Sequence, residues 1–244
     1  MNLIHTSTYR LRSYEVDFED RAFLTALCNM LQDAASMHAA ELGFGYGDLH
    51  RLGRAWVLSR AFIHMDALPG FGTDVEVETW PSGNQKTVAT RDFLLKNGDV
   101  IGRGTSAWAV IDIEDRKAVS PESLIADRDI PQVPRALEFE SRAVKRIRDG
   151  EHATTVRARY GDHDINGHVN SMRSVEYCLE AVPESWRRER ICVGGDVQFR
   201  AECFAGDELR SLASPQEDGT MLHTLIRQSD QRETARMKTW WEPR

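Results

Sequence analysis

The sequence predicts an α+β fold built twice in one chain, each half an antiparallel sheet wrapped round a long helix. Each half opens on a short alternating strand, followed by apolar residues at helical spacing. Further alternating segments come next, separated by turn residues. The same order of elements then recurs after a proline-bearing connector.

In the first half, Tyr9-Arg10-Leu11-Arg12 alternates as an opening strand. Ala22, Phe23, Leu24, Leu27, Met30, Leu31, Ala34 and Ala35 then mark a helix with one apolar face. Asp20 stands where a cap is expected, and Gly43 lies just past the helix end. Strands are expected at Trp56–Met65 and at Asp74-Val75-Glu76-Val77-Glu78-Thr79, whose strict alternation suits a half-buried strand. Lys96-Asn97-Gly98-Asp99 reads as a hairpin turn with both central residues at positive φ. A last strand runs from Gly104 through Trp108 to Ile111.

In the second half, Thr155–Tyr160 is the opening strand and Ser171–Ala181 the helix, ended by Pro183. Strands are expected near Val193–Arg200, Glu208–Leu212, Leu222–Arg227 and Thr234–Trp241. Arg236–Trp240 takes the place of Gly104–Trp108, and Phe204-Ala205-Gly206-Asp207 parallels Phe71-Gly72-Thr73-Asp74. An antiparallel sheet buries one face, which a single apolar helix can cover. That is the hotdog arrangement, expected here in tandem. Ser120–Arg135, with Pro121, Pro131 and Pro134, reads as the connector. The domains are placed at 1–130 and 146–244, with a linker at 131–145.

The chain's 244 residues suffice for one large or two small domains, and 41% hydrophobic content fills a sizeable core. A charged content of 28% suits a soluble surface. The net charge of −7, with Lys and Arg dispersed, argues against a nucleic-acid binder, whose phosphate contacts need a positive field. Arg142 through Arg148, and Arg187-Arg188 with Arg190, are local basic clusters for an acidic partner, although solvated charge is the commoner reading of such runs. No apolar run reaches the ~20 residues that span a bilayer. Met1-Asn2-Leu3-Ile4-His5 lacks the features of a secretory leader, so a complete cytoplasmic chain is expected. Cys28, Cys178, Cys192 and Cys203 form no CxxC, which disfavours a structural zinc site or a disulfide framework.

The densest polar cluster is Tyr160-Gly161-Asp162-His163-Asp164-Ile165-Asn166-Gly167-His168-Val169-Asn170, between a strand and the second helix. It brings a carboxylate, a carboxamide and an imidazole together at alternate positions, beside the unsatisfied N–H groups of a helix start. Those are the parts that hydrolysis of an acyl thioester needs: a base for water, a donor for the carbonyl oxygen and an acid for the thiolate. The plainer reading is a turn-rich loop in which Asp164 or Asn166 caps the helix. A metal site is the third reading, although no further ligand cluster supports it.

A second feature is Val197-Gln198-Phe199-Arg200-Ala201-Glu202-Cys203-Phe204. Alternation puts Val197 and Phe199 on one face and Glu202 at the strand end, where partial desolvation would suit a general base. A strand-end Glu is more commonly just exposed. Cys203 is a candidate nucleophile near His168, while Cys28, Cys178 and Cys192 read as small buried hydrophobes.

Asp164-Ile165-Asn166-Gly167-His168-Val169-Asn170, followed by Glu176-Tyr177 and Leu179-Glu180, resembles the acyl-acyl-carrier-protein (acyl-ACP) thioesterases of plants and bacteria. Their Asp-x-Asn-x-His-Val-Asn hallmark precedes a helix with a Leu-Glu pair before a proline. Phe199-Arg200-Ala201-Glu202-Cys203 resembles their second signature, in which the Glu follows the motif His at this same separation. Ala201 departs from that pattern, where the family often has a second Arg. The first half is similar in layout, including Tyr14-Glu15-Val16-Asp17.

The resemblance implies a tandem hotdog fold, no cofactor, and release of free fatty acid from acyl carrier protein. It also implies a bacterial-type cytosolic form, since the chain lacks the plant transit segment. Asp164, Asn166, His168 and Glu202 are the implied catalytic set, with Cys203 ranked below Glu202. Glu202 with His168 would activate water, Asn166 would position water or the carbonyl, and Asp164 would hold its neighbours. Backbone N–H groups near Gly167–Val169 would receive the oxyanion. The first domain would supply the acyl pocket, and Arg187, Arg188 and Arg190 would meet the acidic carrier. An acyl-coenzyme A thioesterase, a hotdog dehydratase and a non-catalytic acyl-binding module are the alternatives. Association of two chains into a homodimer is left open.

Overall fold

The computed structural model describes residues 3–85, 87–125, 133–140 and 143–244. The chain divides into two units, Met1–Phe139 and Glu140–Arg244. In the first, β1 (His5–Arg10) leads to α1 (Leu24–Glu41), α2 (Tyr46–Arg51), β2 (Arg54–Met65), β3 (Asp74–Gln85), β4 (Val88–Asn97), β5 (Asp99–Asp112), β6 (Ala118–Val119) and α3 (Glu122–Ile125). The sheet order is β1-β3-β4-β5-β2, with β6 on β5, and these pairings are antiparallel. Helix α1 buries Leu24, Leu27, Leu31, Ala34 and His38, a stripe at three- and four-residue intervals, against β3 and β1. Val75, Val77 and Thr79 of β3 are fully buried, as the alternation predicts.

The second unit runs β7 (His152–Arg157), a 3-10 turn at Tyr160–Asp162, α4 (Ser171–Leu179), α5 (Glu184–Glu189), β8 (Arg190–Phe199), β9 (Glu208–Pro215), β10 (Met221–Arg227) and β11 (Arg232–Pro243). Its strand order, β7-β9-β10-β11-β8, is that of the first unit, and its pairings are again antiparallel. Helix α4 packs on β9, β10 and β11. Each unit is therefore α+β, and β11 stands to the second as β5 does to the first.

The repeat extends to single hydrogen bonds. Gly72 N–H donates to Leu11 O and Leu11 N–H to Thr73 O; Gly206 N–H donates to Ala158 O and Ala158 N–H to Asp207 O. Gly72 and Gly206 both have positive φ, 77° and 93°, which glycine adopts without a Cβ clash. These bonds align Gly72 with Gly206, so the sequence pairing of Phe71 with Phe204 is one residue out of register.

Other expectations shift for identifiable reasons. Asp20 does not cap α1. Phe23 holds the N-cap position, while Asp20 has φ 59° and accepts from Phe71 N–H at 2.6 Å. Gly43 does end the helix at positive φ, its N–H on Ala40 O. At the β4–β5 hairpin only Gly98 has positive φ, and a register shift at Leu95/Lys96 absorbs the rest of the turn. Strand β3 runs past the alternating stretch because a shift between Pro81 and Gly83 accommodates the proline. The second helix stops at Leu179, half the length of α1, where the Arg187 guanidinium takes the carbonyls of Glu180 and Val182. Pro183 then caps α5, which the sequence reading missed along with α2 and α3. The opening strand of the second unit ends at Arg157 rather than Tyr160, which belongs to the 3-10 turn.

Within the first unit, Arg135 Nε and Ala136 N–H donate to Asp92 at 2.7 and 2.9 Å; within the second, Val144 N–H donates to Gln198. The 130/131 boundary, Pro131 and Arg142 lie outside the described residues. Among the described residues no helix is long and apolar enough to cross a membrane.

Candidate active site

The polar cluster folds as a closed turn between β7 and α4. Asp164 N–H donates to His168 O at 2.8 Å and Gly167 N–H to Asp164 O at 3.1 Å. Asp164 Oδ1 accepts from Asn166 N–H at 2.8 Å, and Gly167 supplies a φ of 74°. Asn170 N–H donates to Asp162 O, which shuts the base. Neither Asp164 nor Asn166 caps the helix; Asn170 does, accepting from Met172 N–H at 2.9 Å. An Asn directly before the apolar-periodic run was the sequence signal for that cap.

Asp162 anchors the turn from beneath. Its carboxylate is buried and accepts from Tyr177 Oη at 2.5 Å, from Arg159 N–H at 2.7 Å and from the Arg159 guanidinium. Burial is the largest single influence and raises its pKa; the hydrogen bonds from Tyr177 and Arg159 together outweigh it and bring the group below the ordinary carboxylate range. The sequence reading gave Asp162 and Tyr177 no role.

The second feature meets this turn. Val169 N–H donates to Cys203 O at 2.8 Å, which sets the segment after β8 against the motif. Glu202 Oε1 lies 3.8 Å from His168 Nδ1, each side chain about one-third exposed. That gap is closable by one bridging water or a small rotation. The Phe204 ring meets the His168 ring edge to face at 5.2 Å, limiting how the imidazole turns. Asn166 and Ile165 sit exposed at the turn tip. The structure thus brings Asp164, Asn166, His168 and Glu202 into one region of one unit. Of the backbone donors considered for an oxyanion, those of Gly167 and Val169 already donate within the protein, and the His168 N–H has no acceptor among the described residues.

Cys203 points inward, next to an outward Glu202. It is 4% exposed, and its thiol is pushed up to about 11, first by burial. A thiol held so high is overwhelmingly protonated at neutral pH and makes a poor nucleophile. Cys203→Ala is expected to keep turnover within about threefold of wild type, because a buried, protonated thiol is a poor nucleophile. A loss above ~10²-fold in a normally folded variant would restore the covalent route. Cys28 and Cys178 are buried, with thiols raised to about 12, first by burial; Cys192 is half-buried.

The arginines of the basic cluster are already engaged. Arg187 closes the end of α4, Arg188 pairs with Glu184 at 2.5 Å, and the Arg190 guanidinium stacks on Trp186 at 4.2 Å. Among the described residues no group of three or more His, Cys, Asp or Glu is placed to hold a metal ion.

The first unit contains the same turn with different side chains. Asp17 N–H donates to Arg21 O, Asp20 N–H to Asp17 O, Phe23 N–H to Glu15 O and Ala22 N–H to Pro69 O. Asp17 Oδ1 accepts from Glu19 N–H at 2.9 Å, as Asp164 does from Asn166. These bonds align Asp17 with Asp164, Glu19 with Asn166, Arg21 with His168 and Leu68 with Glu202. The turn therefore forms without Asn, His or an opposing acid, and only its Asp is common to both. Asp164 builds the loop, whose backbone frame forms in the first unit with Glu19, Arg21 and Leu68 at the positions of Asn166, His168 and Glu202.

The family model for the acyl-ACP thioesterase N-terminal domain matches residues 2–126, and that for the C-terminal domain matches 145–243. The structure is similar to that of an acyl-ACP thioesterase from Bacteroides thetaiotaomicron, with a TM-score of 0.89 at 30% identity over 99% of this chain and 98% of that one. It is also similar to a 12:0-ACP thioesterase from Umbellularia californica, with a TM-score of 0.89 at 25% identity over 100% and 99% of the two chains. A chloroplastic dodecanoyl-[acyl-carrier-protein] hydrolase of Cinnamomum camphora is 26% identical over 99% of this chain and 68% of its own length. Other plant relatives exceed this chain more, which spans as little as 62% of their length. The chain belongs to the acyl-ACP thioesterase family.

Proposed function

We propose that this chain hydrolyses fatty acyl-ACP to free fatty acid and ACP, by attack of an activated water on the thioester carbonyl. The observation that carries it is the approach of Glu202 to His168 at 3.8 Å in the one unit that has both. Glu202, with His168, orients water and takes its proton as the oxygen bonds to the carbonyl carbon. The carbon–sulfur bond then breaks, and the thiolate leaves with a proton returned from the same pair. Asn166 orients water or the carbonyl from the turn tip. The oxyanion is received by the His168 N–H, the uncommitted donor of the three. Gly167 supports the turn and Val169 pins it to Cys203. No cofactor or metal enters these steps.

A tandem hotdog is the fold this reading favours, supported by the repeated strand order and the helix packed on the strands of each unit. The proposed domains are 1–130 and 146–244, joined by a linker at 131–145, with the first domain receiving the acyl chain. The proposed setting is the cytoplasm. Arg187, Arg188 and Arg190 are the proposed contact for the acidic carrier, Arg188 being the exposed one of the three.

Thioesters of one chain length on ACP and on coenzyme A separate the readings. Expected kcat/KM is at least ~10-fold higher on ACP, and this preference shrinks as salt screens the carrier contact. Equal rates on the two carriers would favour an acyl-coenzyme A thioesterase. Loss of water from 3-hydroxyacyl substrates without hydrolysis would mean a dehydratase, and binding without turnover an acyl-binding module.

A further inference from the structure

We infer that Arg227 is a positioning residue for Glu202: its guanidinium, anchored by Asp230 and Asp207, fixes the Glu202 backbone and so the place of the carboxylate beside His168. This rests on the reading of Glu202 as the acid–base group.

Arg227 closes β10 and keeps only 14% of its side chain in solvent. Its Nε and Nη2 donate in a fork to the two carboxylate oxygens of Asp230, at 3.0 and 2.7 Å. Its Nη1 donates to Glu202 O at 2.8 Å and lies 3.7 Å from Asp207 Oδ2. Asp207 in turn accepts from Phe204 N–H at 2.9 Å. One planar group thus spans both ends of the segment that carries Glu202.

That segment needs such support. Strand β8 ends at Phe199, and the last bonds to β11 are those of Arg200 and Ala201 N–H to Thr234 O, at 2.8 and 3.3 Å. The carbonyls of Glu202 and Cys203 then depend on Arg227 and Val169. The first unit offers an internal contrast. Arg210 faces Ile226 as Glu76 faces Lys96, so the position matching Arg227 is Asn97. Asn97 donates to Asp74 O, and the position matching Glu202 is Leu68. The arginine clamp accompanies the acid.

Arg227→Met, Arg227→Lys and Asp230→Asn, each alone and combined with Glu202→Gln, test this by steady-state hydrolysis of fatty acyl-ACP. A small misplacement of an acid–base group lowers turnover more than binding. Arg227→Met is expected to lower kcat by about 10- to 100-fold with KM within about twofold. Arg227→Lys, which cannot make the fork and the carbonyl bond together, falls between. Asp230→Asn, at an exposed site that leaves folding intact, is expected to lower kcat by about 3- to 10-fold. On the Glu202→Gln background each change adds less than about threefold, since members of one functional unit are not multiplicative. Equal fold-losses on both backgrounds, or an unaltered kcat in Asp230→Asn, would overturn the clamp while leaving Glu202 in place. Full activity of Glu202→Gln alone would remove the acid and its clamp together.

Discussion

Glu202→Gln is expected to lower kcat by at least ~10²-fold while leaving the melting temperature within about 2 °C of wild type. Gln keeps the length of the side chain and an acceptor oxygen, so the neighbourhood of His168 is undisturbed. It cannot take a proton from water. The Glu202 carboxylate is about one-third exposed, and position 68, its counterpart, is Leu within an equivalent loop. The loop's stability therefore does not depend on an acid there. A loss of two decades corresponds to about 2.7 kcal/mol of transition-state stabilisation, within the range of general acid–base catalysis. Turnover within tenfold of wild type, in a variant that melts normally, would take the base role away from Glu202 and place it on His168 alone.

The same comparison shows what the sequence made legible and what it hid. Alternation located β3 at Asp74 because Val75 and Val77 are buried, and apolar periodicity located α1 because it covers that sheet. The candidate turn was legible because its side chains lie within five residues of one another. Glu202 was visible from the signature around it, although β8 ends at Phe199, three residues before it. Arg227 was not, since its contact with the Glu202 carbonyl crosses 25 residues and is made to backbone, which no residue pattern encodes. The turn in the first unit was hidden for a related reason. Its framework is held by backbone bonds, and Asp17 is the one side chain it shares with the motif. Positive φ is carried by Asp20 in one copy and Gly167 in the other, so even the glycine signal fails. The Asp20 cap was a misreading of the same kind: an Asp used inside the turn was assigned to the helix after it.

In the basic cluster the sequence showed the charges and hid their partners. Arg187, Arg188 and Arg190 stand together in sequence, but α5 and the start of β8 send them to different partners: carbonyls, Glu184 and the Trp186 ring. An arginine run measures charge, and the local chain geometry decides how much remains for a partner. For carrier steering, only the field of the cluster is in question, and its salt dependence is the direct measure.

The second large effect concerns stability, at Asp92. Strand β4 sends Arg91 to the face of α1, where it donates to His38 Nδ1 at 2.9 Å, and Asp92 to the opposite face. Asp92 is fully buried. Its Oδ1 accepts from Ser82 and Thr105 hydroxyls, both at 2.8 Å, and its Oδ2 accepts from Arg135 Nε at 2.7 Å and Ala136 N–H at 2.9 Å. Four donors converge on one carboxylate, and two belong to the segment beyond α3. Asp92→Ala would leave those donors unmatched, and breaking one side of a buried pair costs about 3–5 kcal/mol. Arg135 keeps 29% of its side chain in solvent and can be rehydrated, which puts the expected loss near the lower end, about 3 kcal/mol. Against a total stability of about 5–15 kcal/mol, urea unfolding would register this as a clear fall in midpoint. Asp92→Asn keeps one acceptor oxygen and should lose about half as much. Arg135→Ala should lose less than Asp92→Ala, since three of the four donors remain. An Asp92→Ala variant within about 1 kcal/mol of wild type would mean that water replaces the carboxylate, and that the segment is held by other contacts.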